Sequence, residues 1–355
     1  MITPIQRIVF GSPGTGKSYK IDHEIIPDEL GIKKEENPGN IIKAVFHPEY
    51  TYGDFMGKLV PITTKDGKVQ YHFYEGHFLK ALSQAYENLT DVHDGDGKLI
   101  EGRSVRNVVL VIDEINRGNS SAIFGPIFQL LDRDTEGWSD YCVSINEIIF
   151  NKILNLIRVT PFKKDSRDNY EFMGKTYNNI NELQRRIEYL RFDLTNKTIK
   201  IPCNLSIIAT MNTSDSSIYY MDSAFKRRWE WEFIDVNSGT VKQEGIAFNS
   251  RDEWKKFVKK LNEFIIDKHK YIRGIEDKQI GEWFIKDKQI TNATIQNKLM
   301  FFIWDSVFSR DKKPLVHLLY GEDAKNQDKL VTFGDFAKQV ESFIKTIKEY
   351  NKSNV

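Results

Sequence analysis

The run Gly11-Ser12-Pro13-Gly14-Thr15-Gly16-Lys17-Ser18 carries the spacing Gly-x-x-x-x-Gly-Lys-Ser, and residues of those types at that spacing can hold a polyphosphate. Gly14 and Gly16 permit backbone conformations that a side chain would block. Successive N–H groups of Ser12, Pro13's neighbours, Thr15 and Gly16 can therefore turn inward around anionic oxygens, and a helix that follows points its positive end at them. Lys17 is expected to reach the β/γ-phosphates and Ser18 to hold Mg²⁺. A glycine turn that merely links strand to helix is the plainer alternative. It leaves two glycines, a lysine and a hydroxyl at the right offsets as coincidence.

Two further runs supply groups that fit the same chemistry. Val108-Val109-Leu110-Val111-Ile112 ends in Asp113-Glu114, two carboxylates at the C-terminal end of an aliphatic strand, where open α/β sheets place their ligands. Downstream of a phosphate loop, Asp113 is the expected Mg²⁺ partner and Glu114 the group that polarises an attacking water. Leu205-Ser206-Ile207-Ile208-Ala209-Thr210-Met211-Asn212 reads as another buried strand with a polar end. Beside the Asp113 strand, Asn212 can hydrogen-bond both the water and the γ-phosphate. Asp222 to Arg228 reads as a short helix closing on the cationic pair Arg227 and Arg228.

These groups need elements to position them. Ile8-Val9-Phe10 predicts the strand before the loop, Ser18 to about Leu30 a helix, and Ile41 to Phe46 a second strand. Lys58 to Phe73 reads as a hairpin around Asp66-Gly67, Phe78 to Leu89 as a helix, Asp91 to Gly102 as a surface loop, and Asn119 to Asp132 as one amphipathic helix. Residues 137–200 read as an insertion. Within it Tyr141 to Ile157 is ambiguous between strand and helix, Lys163 to Gly174 reads as charged loop, and Asn181 to Leu190 as helix. Trp229 to Val236 alternates like a strand. From Asp252 onward the pattern is helical, with one apolar stripe through Trp254, Phe257, Val258, Leu261, Phe264 and Ile265 and another through Phe336, Val340, Phe343 and Ile347. The expected organisation is an α/β nucleotide-binding domain over 1–236 and a helical lid over 237–355.

The 355 residues are 40% apolar, enough for a substantial core, and 51 Lys plus Arg against 50 Asp plus Glu give no global field toward nucleic acid or membrane. Cys142 and Cys203 lie far apart without Cys/His spacing, which argues against a disulfide framework and a zinc site and suits a reduced cytoplasmic protein. A start that runs directly into a strand predicts no signal peptide, and no apolar run reaches the ~20 residues of a membrane span. The lysines Lys255, Lys256, Lys259 and Lys260 read as a solvated face, and Phe301, Phe302, Trp304 and Phe308 as core. No histidine shows metal-ligand spacing. His47 is read as a packing residue.

With these elements placed, the chain resembles the AAA+ GTPase subunit of modification-dependent (McrBC-type) restriction systems. The resemblance rests on Asp113-Glu114-Ile115-Asn116-Arg117-Gly118-Asn119 with Ile123-Phe124-Gly125, on Met211-Asn212-Thr213-Ser214-Asp215, and on Asp222 with Ala224-Phe225-Lys226-Arg227-Arg228-Trp229. Phe46-His47 through Phe55, with Tyr50, Tyr52 and Asp54, is similar to the family's aromatic segment, and Gln279-Ile280-Gly281 to Phe284 to its lid signature. The resemblance implies a homo-oligomeric ring, a hexamer, that hydrolyses GTP with Mg²⁺, with Arg227 and Arg228 acting catalytically on the site of the neighbouring subunit, and that drives a McrC-type nuclease subunit, meeting DNA indirectly or through a separate reader. Ser214 and Ser216 stand where the family has Ala and Arg. The family's N-terminal DNA-reading domain is expected to be absent.

GTP comes from the resemblance alone. The Asn-Lys-x-Asp base-reading motif is not present, since Asn151-Lys152, Asn196-Lys197 and Asn297-Lys298 lack the following Asp, and ATP stays open as the substrate. Two other readings compete. A MoxR-type AAA+ ATPase that remodels proteins shares Asp-Glu-Ile-Asn-Arg, although Gly118-Asn119-Ser120-Ser121 and Met-Asn-Thr favour the restriction family. A nucleotide-bound scaffold without turnover has no need of a water-activating carboxylate.

Overall fold

The computed structural model describes residues 3–164, 167–213, 219, 221–236, 239–240, 244–323 and 328–351. The chain divides into two compact units, Met1–Trp229 and Glu230–Val355. The division falls ahead of the expected boundary at 236.

In the first unit the elements run β1 Gln6–Gly11, α1 Lys17–Lys20, β2 Ile41–Val45, α2 Tyr52–Met56, β3 Gly57–Thr63, β4 Val69–Glu75, α3 His77–Thr90, β5 Val108–Asp113 and α4 Ser120–Phe124. They continue as β6 Val143–Ser144, α5 Glu147–Leu156, β7 Val159–Lys164, β8 Arg167–Phe172, β9 Lys175–Tyr177, α6 Ile180–Arg186, β10 Thr198–Ile199, β11 Leu205–Asn212 and α7 Ser223–Lys226. Four strands pair in parallel in the order β1, β11, β5, β2. Strands flanked on both sides must be apolar on both faces. Accordingly all eight residues of β11 and the first five of β5 are buried. α3 packs on β2 and β5, burying Phe78, Leu79, Leu82 and Tyr86.

Helix α1 passes directly into a π-helical stretch, Ile21–Glu29, so the predicted helix is present with a widened second half that contains Pro27. The hairpin is present as β3 and β4, paired from Gly57↔Glu75 to Thr63↔Val69. The single helix expected over Asn119 to Asp132 is a correction. Gly125 takes φ 49 and Pro126 follows, so α4 ends at Phe124 and a 3₁₀ segment continues to Leu131. Lys163 to Gly174 is a second correction. Its described residues are largely strand, not loop, with a turn at Met173-Gly174, because β7, β8 and β9 pair antiparallel as a separate three-stranded sheet. Tyr141 to Ile157 resolves into β6 followed by α5, whose N-terminus is capped by Asn146.

The excursion of residues 137–200 leaves and rejoins the first unit at one place. β6 and β10 pair at its neck. Arg133 then spans both ends, its Nη1 donating to the carbonyls of Gly137 (3.0 Å), Ile201 (3.1 Å) and Pro202 (3.2 Å), and its Nη2 to that of Leu205 (2.9 Å). Enclosure lowers the Arg133 pKa to about 10, so the guanidinium stays charged at neutral pH.

In the second unit, β12 Glu230–Asp235, β13 Gly239–Thr240, β14 Ile246–Phe248 and α8 Arg251–Asp267 precede β15 Ile290–Thr291, α9 Asn292–Thr294, α10 Lys313–Tyr320, α11 Phe333–Ala337 and α12 Val340–Glu349. Ser250 caps α8. Both predicted apolar stripes are buried, and α8 packs on α12 with Phe257 and Phe343 ring centroids 6.3 Å apart. Phe301, Phe302 and Phe308 are core residues. Among the described residues no helix is long and apolar enough to cross a membrane.

Candidate functional site

The register of the parallel sheet brings the predicted groups together. Gly11, where the glycine loop begins, stands opposite Asn212, and Ala209 stands opposite Ile112, one residue before Asp113. The loop, both carboxylates and the asparagine therefore share the C-terminal edge of one sheet, the edge at which open α/β folds bind ligands.

The loop is shaped by its glycines. Gly14 takes φ 78 and Gly16 φ 84, and no atom lies within 4 Å of where a Cβ would stand on either. That open side leaves room for a ligand against the backbone. Pro13, Gly14, Gly16 and Ser18 are exposed, and Ser12 and Thr15 are half-buried. Thr15 Oγ1 donates to the Ser12 carbonyl at 2.9 Å and tightens the loop. Lys17 is only 8% exposed, with Nζ donating to the carbonyls of Ser12 (2.7 Å) and Gly11 (3.2 Å). Burial lowers its pKa below the ordinary lysine value, and the charge of Glu114 opposes that shift.

At the strand end, one residue of β11 holds three consecutive residues, the last of β5 and the two that follow it. The Glu114 amide donates to Thr210 Oγ1 (3.0 Å), that hydroxyl donates to Asp113 Oδ1 (3.1 Å), and the Ile115 amide donates to the Thr210 carbonyl (3.0 Å). Glu114 has φ 56, a left-handed backbone that costs a non-glycine residue on the order of 1–3 kcal/mol unless its surroundings impose it. Its carboxylate is not idle. Asn212 Nδ2 donates to Glu114 Oε1 at 2.6 Å, and Arg117 Nε stands 3.6 Å from Oε2. Oε2 is nonetheless buried without a hydrogen bond. Asn116 Nδ2 donates to the Asn212 carbonyl (2.9 Å), fixing the end of β11, while Asn116 Oδ1 is a second buried acceptor with no partner.

Among the described residues no three His, Cys, Asp or Glu side chains cluster into a metal cage. Ser18 and Asp113 instead offer a small all-oxygen donor set, a hydroxyl and a carboxylate. That set suits a Mg²⁺ ion that keeps water and phosphate among its ligands.

Arg227 and Arg228 were expected to share one role, but their surroundings differ. Arg227 is exposed. Arg228 is turned inward. Its Nη2 lies 2.8 Å from Asp132 Oδ2, Nη1 donates to the Ala224 carbonyl at 2.7 Å, and the guanidinium lies 4.4 Å from the Phe128 ring centroid. Those bonds keep it within its own chain. Ser121 Oγ and the Phe225 amide both donate to Asp222, tying α4 to the start of α7. Ser214, Asp215 and Ser216 lie outside the described residues. His47, read as a packing residue, is exposed, with its ring edge-on to Tyr50 and its carbonyl close to Gly118.

Sequence reasoning missed Thr210 and gave Asn116 no role of its own. A hydroxyl two residues before the polar strand end was the available signal for the first.

A parallel α/β sheet with a glycine loop and paired carboxylates at its C-terminal edge has the form of a P-loop nucleotide-binding fold. No family model matches the chain. It is 29% identical over 332 residues to the Type II restriction enzyme BsuMI component YdiS of Bacillus subtilis, a match covering 87% of this chain and 80% of that protein. It is 24% identical over 236 residues to the Type IV methyl-directed restriction enzyme EcoKMcrB subunit of Escherichia coli, a match covering 65% of this chain and 35% of that subunit. The chain thus resembles McrB-like restriction-system proteins, and it spans about a third of the McrB subunit it matches.

Proposed function

We propose that the chain is an AAA+ motor subunit of a restriction complex, hydrolysing a nucleoside triphosphate and driving a partner nuclease of the McrC type. GTP is the favoured substrate over ATP on family resemblance. One observation carries the reading: the register that sets Gly11 beside Asn212 gathers the loop, Asp113, Glu114 and Asn212 at one strand edge.

In this reading the amides of Ser12, Gly14, Thr15 and Gly16 cradle the phosphates, and Lys17 exchanges its carbonyl acceptors for phosphate oxygens. Ser18 and Asp113 would hold Mg²⁺, which when bound neutralises charge on the β- and γ-phosphates. Glu114 orients the attacking water and takes its proton, once Asn212 Nδ2 turns from Oε1 to the water and the γ-phosphate. The second unit serves as the lid. The chain assembles as a homo-oligomeric ring, six-membered as in the AAA+ resemblance, in which Arg227 reaches the neighbouring site and Arg228 keeps its own helix in place. DNA is met through a separate reader or through the nuclease.

Glu114→Gln tests this reading. The variant is expected to retain nucleotide binding and lose ~10²–10⁴-fold in turnover, the scale of a lost general base. Parallel assays with GTP and ATP, with and without a co-encoded nuclease, fix the substrate. Near-normal hydrolysis by Glu114→Gln removes that residue from the mechanism.

A further inference from the structure

We infer that Thr210 is a positioning residue of the site, the group that makes Asp113 and Glu114 act as one unit. The inference rests on the reading of Asp113 as the Mg²⁺ carboxylate and Glu114 as the water-activating one. It adds a residue that neither the glycine-loop motif nor the paired-carboxylate motif contains.

The argument begins with direction. A threonine hydroxyl has one proton to give and lone pairs to receive with. Here the proton goes to Asp113 Oδ1 at 3.1 Å, and the oxygen receives the Glu114 amide at 3.0 Å. The first bond occupies one carboxylate oxygen of Asp113 and so orients the other. The second holds the amide of a residue at φ 56, a conformation that its side chain disfavours and that local bonds must impose. The Thr210 carbonyl adds a third hold by accepting from the Ile115 amide at 3.0 Å. That main-chain bond survives any side-chain change, so a substitution at 210 isolates the two hydroxyl bonds. Thr210 is 3% exposed, hence no water replaces a deleted hydroxyl at little cost. Asn212, two residues on along the same strand, donates to Glu114 Oε1 at 2.6 Å. β11 therefore fixes the backbone of Glu114 through Thr210 and its carboxylate through Asn212.

The test uses the full chain with Thr210→Val, which keeps the shape and removes the hydroxyl, and Thr210→Ser, which keeps the hydroxyl. Thr210→Val is expected to lower kcat about 10–100-fold, the range for partners that orient metal ligands. Its requirement for Mg²⁺ should rise by a similar factor, while the Kd for a fluorescent nucleotide measured in EDTA stays unchanged. Mn²⁺ affinity of the complex with a non-hydrolysable nucleotide, read by electron paramagnetic resonance, should weaken in parallel. Thr210→Ser should restore both kcat and metal affinity to within about threefold of wild type, whereas a merely structural role would track the melting temperature instead. If Thr210→Val does not fold, Thr210→Ala against Thr210→Ser gives the same comparison. Wild-type kcat and metal dependence in a folded hydroxyl-free variant overturn the inference and leave the site reading standing. A wild-type chain with no Mg²⁺-dependent hydrolysis overturns the site reading, and the inference with it.

Discussion

The Asn212 side-chain amide donates to Glu114 Oε1 across 2.6 Å, joining the ends of two neighbouring parallel strands. An amide can hold a carboxylate in this way and later turn to a water or a phosphate oxygen, because it carries donors and an acceptor. Asn212→Asp replaces the donor with a second carboxylate facing the first. Repulsion between them, and with a triphosphate, is expected to cut hydrolysis ~10²–10³-fold, more than Asn212→Ser does. Steady-state rates of the two variants at saturating nucleotide check this, and equal activity would place Asn212 outside the chemistry.

Lys17 gives a prediction in pH. Burial lowers its pKa below the ordinary 10.5. Between the lowered value and 10.5 the unfolded chain holds more protons than the folded one, so this group costs stability at neutral pH and the cost is relieved as pH rises through that window. Bound phosphate favours the ammonium. Nucleotide binding should therefore take up a proton in the alkaline window, with affinity falling as pH rises. Calorimetry in buffers of different ionisation enthalpy measures the uptake. Lys17→Ala should bind more weakly and lose the linkage, and pH-independent binding by wild type would contradict the assignment.

The arginine pair separates by stability as well as by activity. Arg228→Ala removes the ion-pair partner at 2.8 Å from Asp132, whose side chain is 15% exposed, and is expected to cost about 3 kcal/mol. That corresponds to a fall of roughly 6–12 °C in melting temperature. Arg227→Ala should leave the melting temperature unchanged. If Arg227 acts in trans, Arg227→Ala mixed with Lys17→Ala regains hydrolysis with a maximum at intermediate ratios, in mixtures shown to co-assemble. Activity that never exceeds the two parents would reduce Arg227 to surface charge.

Gly76 begins the turn into α3, where a Cβ would stand 2.3 Å from the Phe55 carbonyl group. Backbone cannot give way there as a side-chain tip can. Gly76→Ala is expected to cost about 1–3 kcal/mol, whereas Gly39→Ala, facing only Gln84 Oε1 at 3.5 Å, stays within about 0.5 kcal/mol of wild type. Thermal unfolding of the two variants decides it.

What could be read in the sequence follows from where the determinants lie. The glycine loop, the Asp113-Glu114 strand end and the Asn212 strand end are local patterns, with apolar runs that announce buried parallel strands. The pairing of Arg228 with Asp132, 96 residues apart, has no local signature. Nor does the Thr210 bridge, whose meaning depends on which strand becomes its neighbour. Lys163 to Gly174 misled because a small, partly exposed sheet needs few apolar residues. Asn119 to Asp132 misled because its periodicity runs on past Gly125, where the backbone does not.

Arg133 has a consequence for how this chain can diversify. It clasps carbonyls from Gly137 on one side and from Ile201, Pro202 and Leu205 on the other, and every residue type supplies a carbonyl. Sequence drift within the enclosed segment thus leaves the clasp intact. The neck of the excursion is thereby indifferent to which side chains the enclosed segment carries, because what Arg133 holds is main chain at both of its ends.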